Sequence, residues 1–332
     1  MSAGKKLFRP EAIFRYPAGL KPSQFKHKYS ELRRGRRIPF TDATLLLEKL
    51  KKDVGRKYRK ITGKEFNRYE LGEHIGMVRE MFWKDSRFLQ VFEMLELNPA
   101  HAEKAMIPWW NEISASELNH SFDGSSVTVE LGPRHSLETQ LVRKGIELPI
   151  TSVSVGGLIE TSDGFVVIGL RGGAAYPNTY HVNAGALRLT ESLKSGDSSI
   201  YDFYKKGELD AEFGLSESEI KKVSLLSRIF DYAIDKGPMY VFLIKTELGF
   251  SDVESMYESN LDIDKGEHTR LIPIPCDSLM GFIKEHYRGF LGNKEGRKDD
   301  ERYLLHPGAL ALLSYAGYPL SELENLFRDG IW

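Results

Sequence analysis

The chain has 332 residues, 41% of them hydrophobic and 11% aromatic, and a formal net charge of −1. That apolar content supplies a buried core and excludes a disordered chain, while the length suits two structural units better than one. No apolar run reaches the roughly 18 residues of a membrane helix, no secretory apolar stretch opens the sequence, and the single cysteine, Cys276, excludes intrachain disulfides and a multi-cysteine zinc site, so a cytoplasmic protein without a membrane partner is the expectation.

Charge is unevenly spread. Residues 1–70 carry 20 Lys and Arg against 7 Asp and Glu, leaving 26 basic and 40 acidic residues for the rest. The basic run includes ELRRGRRIPF (31–40) and KKDVGRKYRK (51–60). It can meet the phosphates of a nucleic acid, or fold back on the acidic remainder of this chain or of a second copy in a homodimer. No RNP-like, KH or zinc-finger pattern accompanies it, so folding back is the preferred reading.

Residues 1–40 contain Pro10, Pro17, Pro22 and Pro39 and read as an extended arm. Thr41 or Asp42 can cap a helix through TLLLEKLKKD. Over 69–96, Leu71, Ile75, Val78, Phe82, Leu89 and Phe92 recur at mostly helical intervals and predict a core-facing stripe. At least one of Trp109 and Trp110 should pack in the core, because adjacent side chains diverge. The texture changes near residue 125, which divides a basic, mostly helical region (1–125) from the remainder (126–332). SVTVEL alternates as a strand, and SLETQLVRKG reads as a short helix ended by glycine. The runs on either side of Asp163-Gly164 predict a β-hairpin. KVSLLSRIFDYAI, PMYVFLIKTEL and TRLIPIP are further strands, with one helix, 199–214, set among the strands from 126 to 275. PCDSLMGFIKEHY and HPGALALLSYAGY are closing helices.

The chemistry concentrates in GELDAEFGL (207–215). Glu208 and Glu212 stand one helical turn apart, and their repulsion costs a few tenths of a kcal/mol unless something positive lies between them. Leu209 and Phe213 can anchor the helix to a sheet, and Gly214 can stop it. A solvent-facing helix edge is the plain alternative for the two carboxylates. Asp210 points away from them toward solvent.

Gly185 and Glu191 in GALRLTE, followed by Glu208, Leu209, Glu212, Gly214 and Leu215, resemble the Nudix box, Gly-x5-Glu-x7-Arg-Glu-(apolar)-x-Glu-Glu-x-Gly-(apolar). Fifteen residues separate Glu191 from Gly207 where the box has seven, Gly207 stands in the arginine position, and Ala211 replaces one glutamate. Asn183-Ala184 stands where the family carries Pro-Gly. The resemblance implies a Nudix-type α/β/α sandwich on a mixed sheet over about 145–315, preceded by the mostly helical region. The stretch VELGPRHSLETQLVR, with the lengthened box, is also similar to the animal Nudix hydrolases of UDP-glucose and UDP-galactose.

The same resemblance implies a set of roles. Glu208 and Glu212 would hold Mg²⁺, or Mn²⁺ in its place, and Glu267 would be the general base or a third ligand. His268 is its substitute, with a solvated loop histidine as the plainer reading. Arg171, Arg188 and His181 would meet a pyrophosphate, and Tyr176 or Tyr180 would stack on a base or sugar. The expected activity is Mg²⁺-dependent hydrolysis of a nucleoside diphosphate linked to another group. Gly207 and Ala211 support a second reading, a Nudix-fold binding protein without turnover. Nucleic-acid binding through the basic arm is the third.

Overall fold

The computed structural model describes residues 12–17, 19–30, 32–33, 36–37, 40–64, 74–94, 113–135, 151–172, 178–230, 237–259, 268–287 and 302–328. Its strands are β1 (Ile13–Arg15), β2 (Phe25–Tyr29), β3 (Leu32–Arg33), β4 (Arg36–Arg37), β5 (Ile113–Phe122), β6 (Val127–His135), β7 (Thr151–Ser152), β8 (Ser154–Glu160), β9 (Phe165–Arg171), β10 (Thr179–His181), β11 (Asn183–Ala186), β12 (Ile220–Phe230), β13 (Pro238–Thr246), β14 (His268–Pro275) and β15 (Tyr303–Leu304). The helices are α1 (Phe40–Thr62), α2 (Ile75–Trp83), α3 (Ser86–Met94), α4 (Glu191–Ser195), α5 (200–213), α6 (Phe250–Ser259), α7 (Leu279–His286), α8 (His306–Ala316) and α9 (Ser321–Arg328).

The expected hairpin forms the middle of a mixed sheet. Thr161 and Phe165 close its turn through a 2.9 Å backbone bond, and Gly164 takes a φ of 87°, which glycine adopts without steric cost. The sheet runs β1-β12-β13-β8-β9-β10-β15, with β11 also on β8 and β14 also on β9. β13–β8 and β10–β15 are parallel, and the other pairs are antiparallel. Successive side chains leave opposite faces of a strand. Val155, Ile159 and Val167 therefore enter one buried cluster with Leu209 and Phe213 of α5, and with Val253 and Tyr257 of α6. Leu158, Val166 and Ile168 enter another, beneath α7 and α8. Helices cover both faces, so the α/β class and the mixed sheet are as the sequence implied.

The strands expected in KVSLLSRIFDYAI, PMYVFLIKTEL and TRLIPIP are present as β12, β13 and β14, with 231–234 outside the described residues, and both closing helices are present. Helix α6 was not anticipated; its buried positions are only Val253 and Tyr257, too few for a visible period. The stripe expected through Leu89 breaks at Lys84-Asp85, where α2 ends and α3 restarts in a new phase. Phe88 and Val91 are buried there instead, and Leu89 is 42% exposed. Trp109, Trp110, Tyr176 and the helix expected over 136–145 lie outside the described residues.

The N-terminal part combines helices with strands. β1 pairs antiparallel with Ser227–Ile229 at the edge of the large sheet, and β2 lies parallel to β6 in a second sheet ordered β2-β6-β5-β7. The described part of the arm thus includes paired strands, and its Tyr16, Leu20 and Phe25 are buried in the common core. The turn at 123–126 joins β5 to β6 within that second sheet. Backbone bonds among Ala115, Val153 and Leu187 stitch the two sheets together. A polar clamp lies beside them: Glu117 of β5 pairs with Arg228 of β12 and accepts the Tyr240 hydroxyl at 2.5 Å.

Candidate functional site

Helix α5 is one helix in three pieces. Ile200–Tyr204 is α-helical, Lys205–Asp210 is a π-helix and Ala211–Phe213 is α-helical again. It starts at Ser199, whose Oγ accepts the Asp202 amide at 3.0 Å while Asp202 accepts the Ser199 amide at 2.8 Å. It stops at Gly214, with φ of 70°, as the sequence implied. A π turn holds more residues per turn than an α turn, and such turns recur at functional sites. Its consequence here is that neighbours Glu208 and Leu209 are both buried, while Lys206, Gly207 and Asp210 are exposed. Leu209 and Phe213 anchor the helix as expected. The solvent-facing edge does not exist: Glu208 is 9% and Glu212 is 7% exposed.

Glycines in the sheet make room beneath this helix. A Cβ on Gly185 would overlap the Glu208 carboxylate, one on Gly157 the Tyr204 hydroxyl, and one on Gly169 the His268 ring. Asn183, across from Gly157 in register, donates its amide to the Glu208 carbonyl at 3.1 Å and to Glu212 Oε2 at 2.6 Å. His268 brings Nε2 to 3.4 Å from the same carboxylate oxygen. Its ring meets Phe213 edge-on at 5.6 Å, and its carbonyl accepts the Tyr257 hydroxyl at 2.5 Å. Asn183 of β11 and His268 of β14 thus converge on Glu212 of α5, with Gly169 of β9 making room for the His268 ring.

Burial sets the electrostatics. It raises the Tyr204 hydroxyl well above its ordinary pKa, with Glu208 and Glu212 adding to the effect, so the group is a neutral donor. Among the described residues that hydroxyl has no hydrogen-bond partner, and neither has His181 Nδ1. Burial also holds the His181 imidazole well below its usual value, and Arg171 and His268 push the same way.

The structure gathers some of the expected residues and separates others. Glu208, Glu212 and His268 share the face of the sheet that α5 covers. His181 pairs with Gly169 and Arg171 pairs with His268, which brings both to the margin of that cluster. Arg188 is exposed, just after the buried Leu187. Tyr180 points to the other face, with its ring 5.2 Å from Phe282 and 4.9 Å from His286, and packs there. Glu267 lies outside the described residues. His268 is 1% exposed, so the solvated reading does not hold. Asn183 and Tyr204 were missed; only the alternation of His181, Asn183 and Gly185 along the chain hinted that Asn183 shares their face.

The donor set suits a hard cation. Two carboxylates offer oxygen ligands, and Mg²⁺ takes one or two carboxylates alongside waters and phosphate oxygens. Among the described residues no group of three or more His, Cys, Asp or Glu is arranged to hold a metal ion, so a cation here would draw on oxygens of its ligand.

No protein-family model and no curated protein matches the chain. Among solved structures, a Deinococcus radiodurans protein, DR0079, is similar at 13% identity over 49% of this chain and 80% of its own, with a TM-score of 0.30. The NUDIX domain of Shewanella oneidensis NrtR, complexed with ADP ribose, is similar at 9% identity over 42% of this chain and 80% of its own, with a TM-score of 0.28. A bifunctional NMN adenylyltransferase/ADP ribose pyrophosphatase from Francisella tularensis is similar at 13% identity over 42% of this chain and 37% of its own, with a TM-score of 0.26. At such scores these likenesses carry no argument about this chain.

Proposed function

We propose that the chain is a Nudix-type pyrophosphohydrolase that cleaves a nucleoside diphosphate linked to another group, with nucleotide sugars as the first class to try. The observation that carries this reading is the burial of Glu208 and Glu212 on one glycine-floored face, with Asn183 and His268 turned to Glu212. Buried carboxylates are costly unless compensated, and a surface helix edge has no need of them.

In this reading Glu208 and Glu212 are the residues that would hold Mg²⁺, or Mn²⁺ in its place. The bound cation supplies charge stabilisation to the pyrophosphate oxygens. Asn183 fixes the Glu212 carboxylate by its 2.6 Å bond, and Arg171 lends positive charge at the margin. Water oxygen adds to one phosphorus, the bond to the bridging oxygen breaks, and the water proton passes to Glu267 or to His268. The products are a nucleoside monophosphate and a phosphorylated partner.

A binding protein without turnover is the second reading, favoured by Ala211 in a glutamate position and by the lack of a third donor among the described residues. The two separate on a panel of nucleoside diphosphate derivatives, with and without Mg²⁺. The hydrolase reading expects phosphate release after phosphatase coupling, lowered about 100-fold or more in Glu208→Gln and Glu212→Gln. Ligand-induced stabilisation without turnover establishes the binding reading. Neither effect, across the panel, removes both.

A further inference from the structure

Among the described residues, the basic helix α1 contributes no side chain to the carboxylate site. In α1, Leu50, Val54 and Tyr58 recur every fourth residue and are at most 2% exposed, so the helix commits its apolar side to the core. Lys49, Lys52, Arg56, Lys57, Arg59 and Lys60 are all exposed. Lys49, Lys52, Arg56 and Lys60 follow one another at spacings of three and four, which makes a single ridge roughly 16 Å long at 1.5 Å per residue.

At one end of this ridge the surface becomes concave. A cavity of about 350 Å³ is lined by Asp53, Arg56, Lys57, Lys60 and Arg87, four cations and one carboxylate. Arg87, from α3, is held rather than waving. Asp85 accepts its Nε at 2.9 Å and an Nη at 2.7 Å, and Asp53 accepts the other Nη at 2.7 Å. Asp53 also pairs with Arg56. A guanidinium ordered in advance loses less freedom when it meets a phosphate than an unrestrained one. Among the described residues, Asp53 and Asp85 hold Arg56 and Arg87 in ion pairs within the helical unit.

We propose that the exposed ridge of α1, with the cavity at Arg87, binds the phosphodiester backbone of a nucleic acid. Phosphates recur along a strand, and a linear row of cations over a concave, guanidinium-bearing surface can follow them. An anionic membrane fits less well, because a helix that lies in a bilayer interface must submerge an apolar face, and Leu50, Val54 and Tyr58 of α1 are already buried in the core.

The test uses the full chain and labelled 20-nucleotide RNA and DNA strands, read by fluorescence anisotropy between 50 and 300 mM salt. Binding should weaken steeply with salt. Lys57→Gln with Lys60→Gln should lower affinity about tenfold and reduce the log–log salt slope by roughly 1.4 for single strands. Lys222→Gln, at the exposed start of β12, should change neither. All variants should melt with the wild type, since the replaced side chains are exposed. No binding at 50 mM salt overturns the proposal. So does binding that the α1 variant leaves unchanged, or tighter association with phosphatidylserine vesicles than with either strand.

Discussion

Replacing Gly185 by alanine tests the floor of the carboxylate site without reference to any ligand. A Cβ at this position would lie within 2.7 Å of both Glu208 carboxylate oxygens. No ordinary contact is that close, so the carboxylate must move. Overpacking of this kind costs about 1–3 kcal/mol, and the lower half of that range applies because the obstructing atoms end a flexible side chain. Against it stands a gain of about 0.4–1 kcal/mol, since alanine narrows the unfolded ensemble relative to glycine. Gly185→Ala should therefore be destabilising by about 1 kcal/mol, roughly a fivefold change in the folded-to-unfolded ratio.

The sign should reverse when Glu208 is alanine. With the carboxylate gone the new methyl meets open space, only the unfolded-state gain remains, and Gly185→Ala becomes neutral or stabilising by about 0.5 kcal/mol. The cycle then shows a coupling of about 1.5 kcal/mol, well beyond the scatter expected of independent sites. Guanidinium denaturation of the four proteins, monitored by the fluorescence of the four tryptophans, measures it. Equal destabilisation by Gly185→Ala in both backgrounds would refute the reasoning, because the clash would then lie elsewhere.

Tyr204→Phe deletes a buried hydroxyl that has no partner among the described residues, so denaturation should find the variant as stable as the wild type or up to about 1 kcal/mol more so; a loss above that size contradicts the burial account. His181 has a depressed folded-state pKa, so the unfolded chain binds the extra proton first as pH falls. Its contribution is whole above the ordinary value of about 6.5 and is lost as pH drops from there toward the folded-state value, with a slope of at most about 1.4 kcal/mol per pH unit. His181→Gln should flatten the stability profile below pH 6.5 as measured by denaturation midpoints, and an unchanged slope would assign it to other groups. Glu117→Ala leaves Arg228, 14% exposed, without its carboxylate and removes the acceptor of the Tyr240 hydroxyl; a loss of about 3 kcal/mol is expected. Much of it should return when Arg228→Met accompanies Glu117→Leu, and calorimetric melting of both proteins checks the pair.

The hairpin at Asp163-Gly164, the strands 220–230 and 238–246, and the stop at Gly214 could all be read along the chain. Each rests on short-range physics: alternation at period two, a left-handed glycine, an apolar run of strand length. Gly185, Glu208 and Glu212 were legible as a pattern for the same reason, since their spacing is local. Their environment was not. Counting at i,i+4 assumes an α turn, and the π turn at Lys205–Asp210 carries Glu208 inward beside Leu209, so exposure could not be inferred from spacing. Strand β1 has three residues, too few to show a period, and it exists because Ser227–Ile229 offer an edge more than 200 positions along the chain. His268 read as a loop residue until β14 was laid against β9, where Gly169 leaves space for its ring and Glu212 faces its Nε2. Burial and partnership depend on which distant strands share a face, and that is settled by the packing of the whole sheet rather than by any stretch of neighbours.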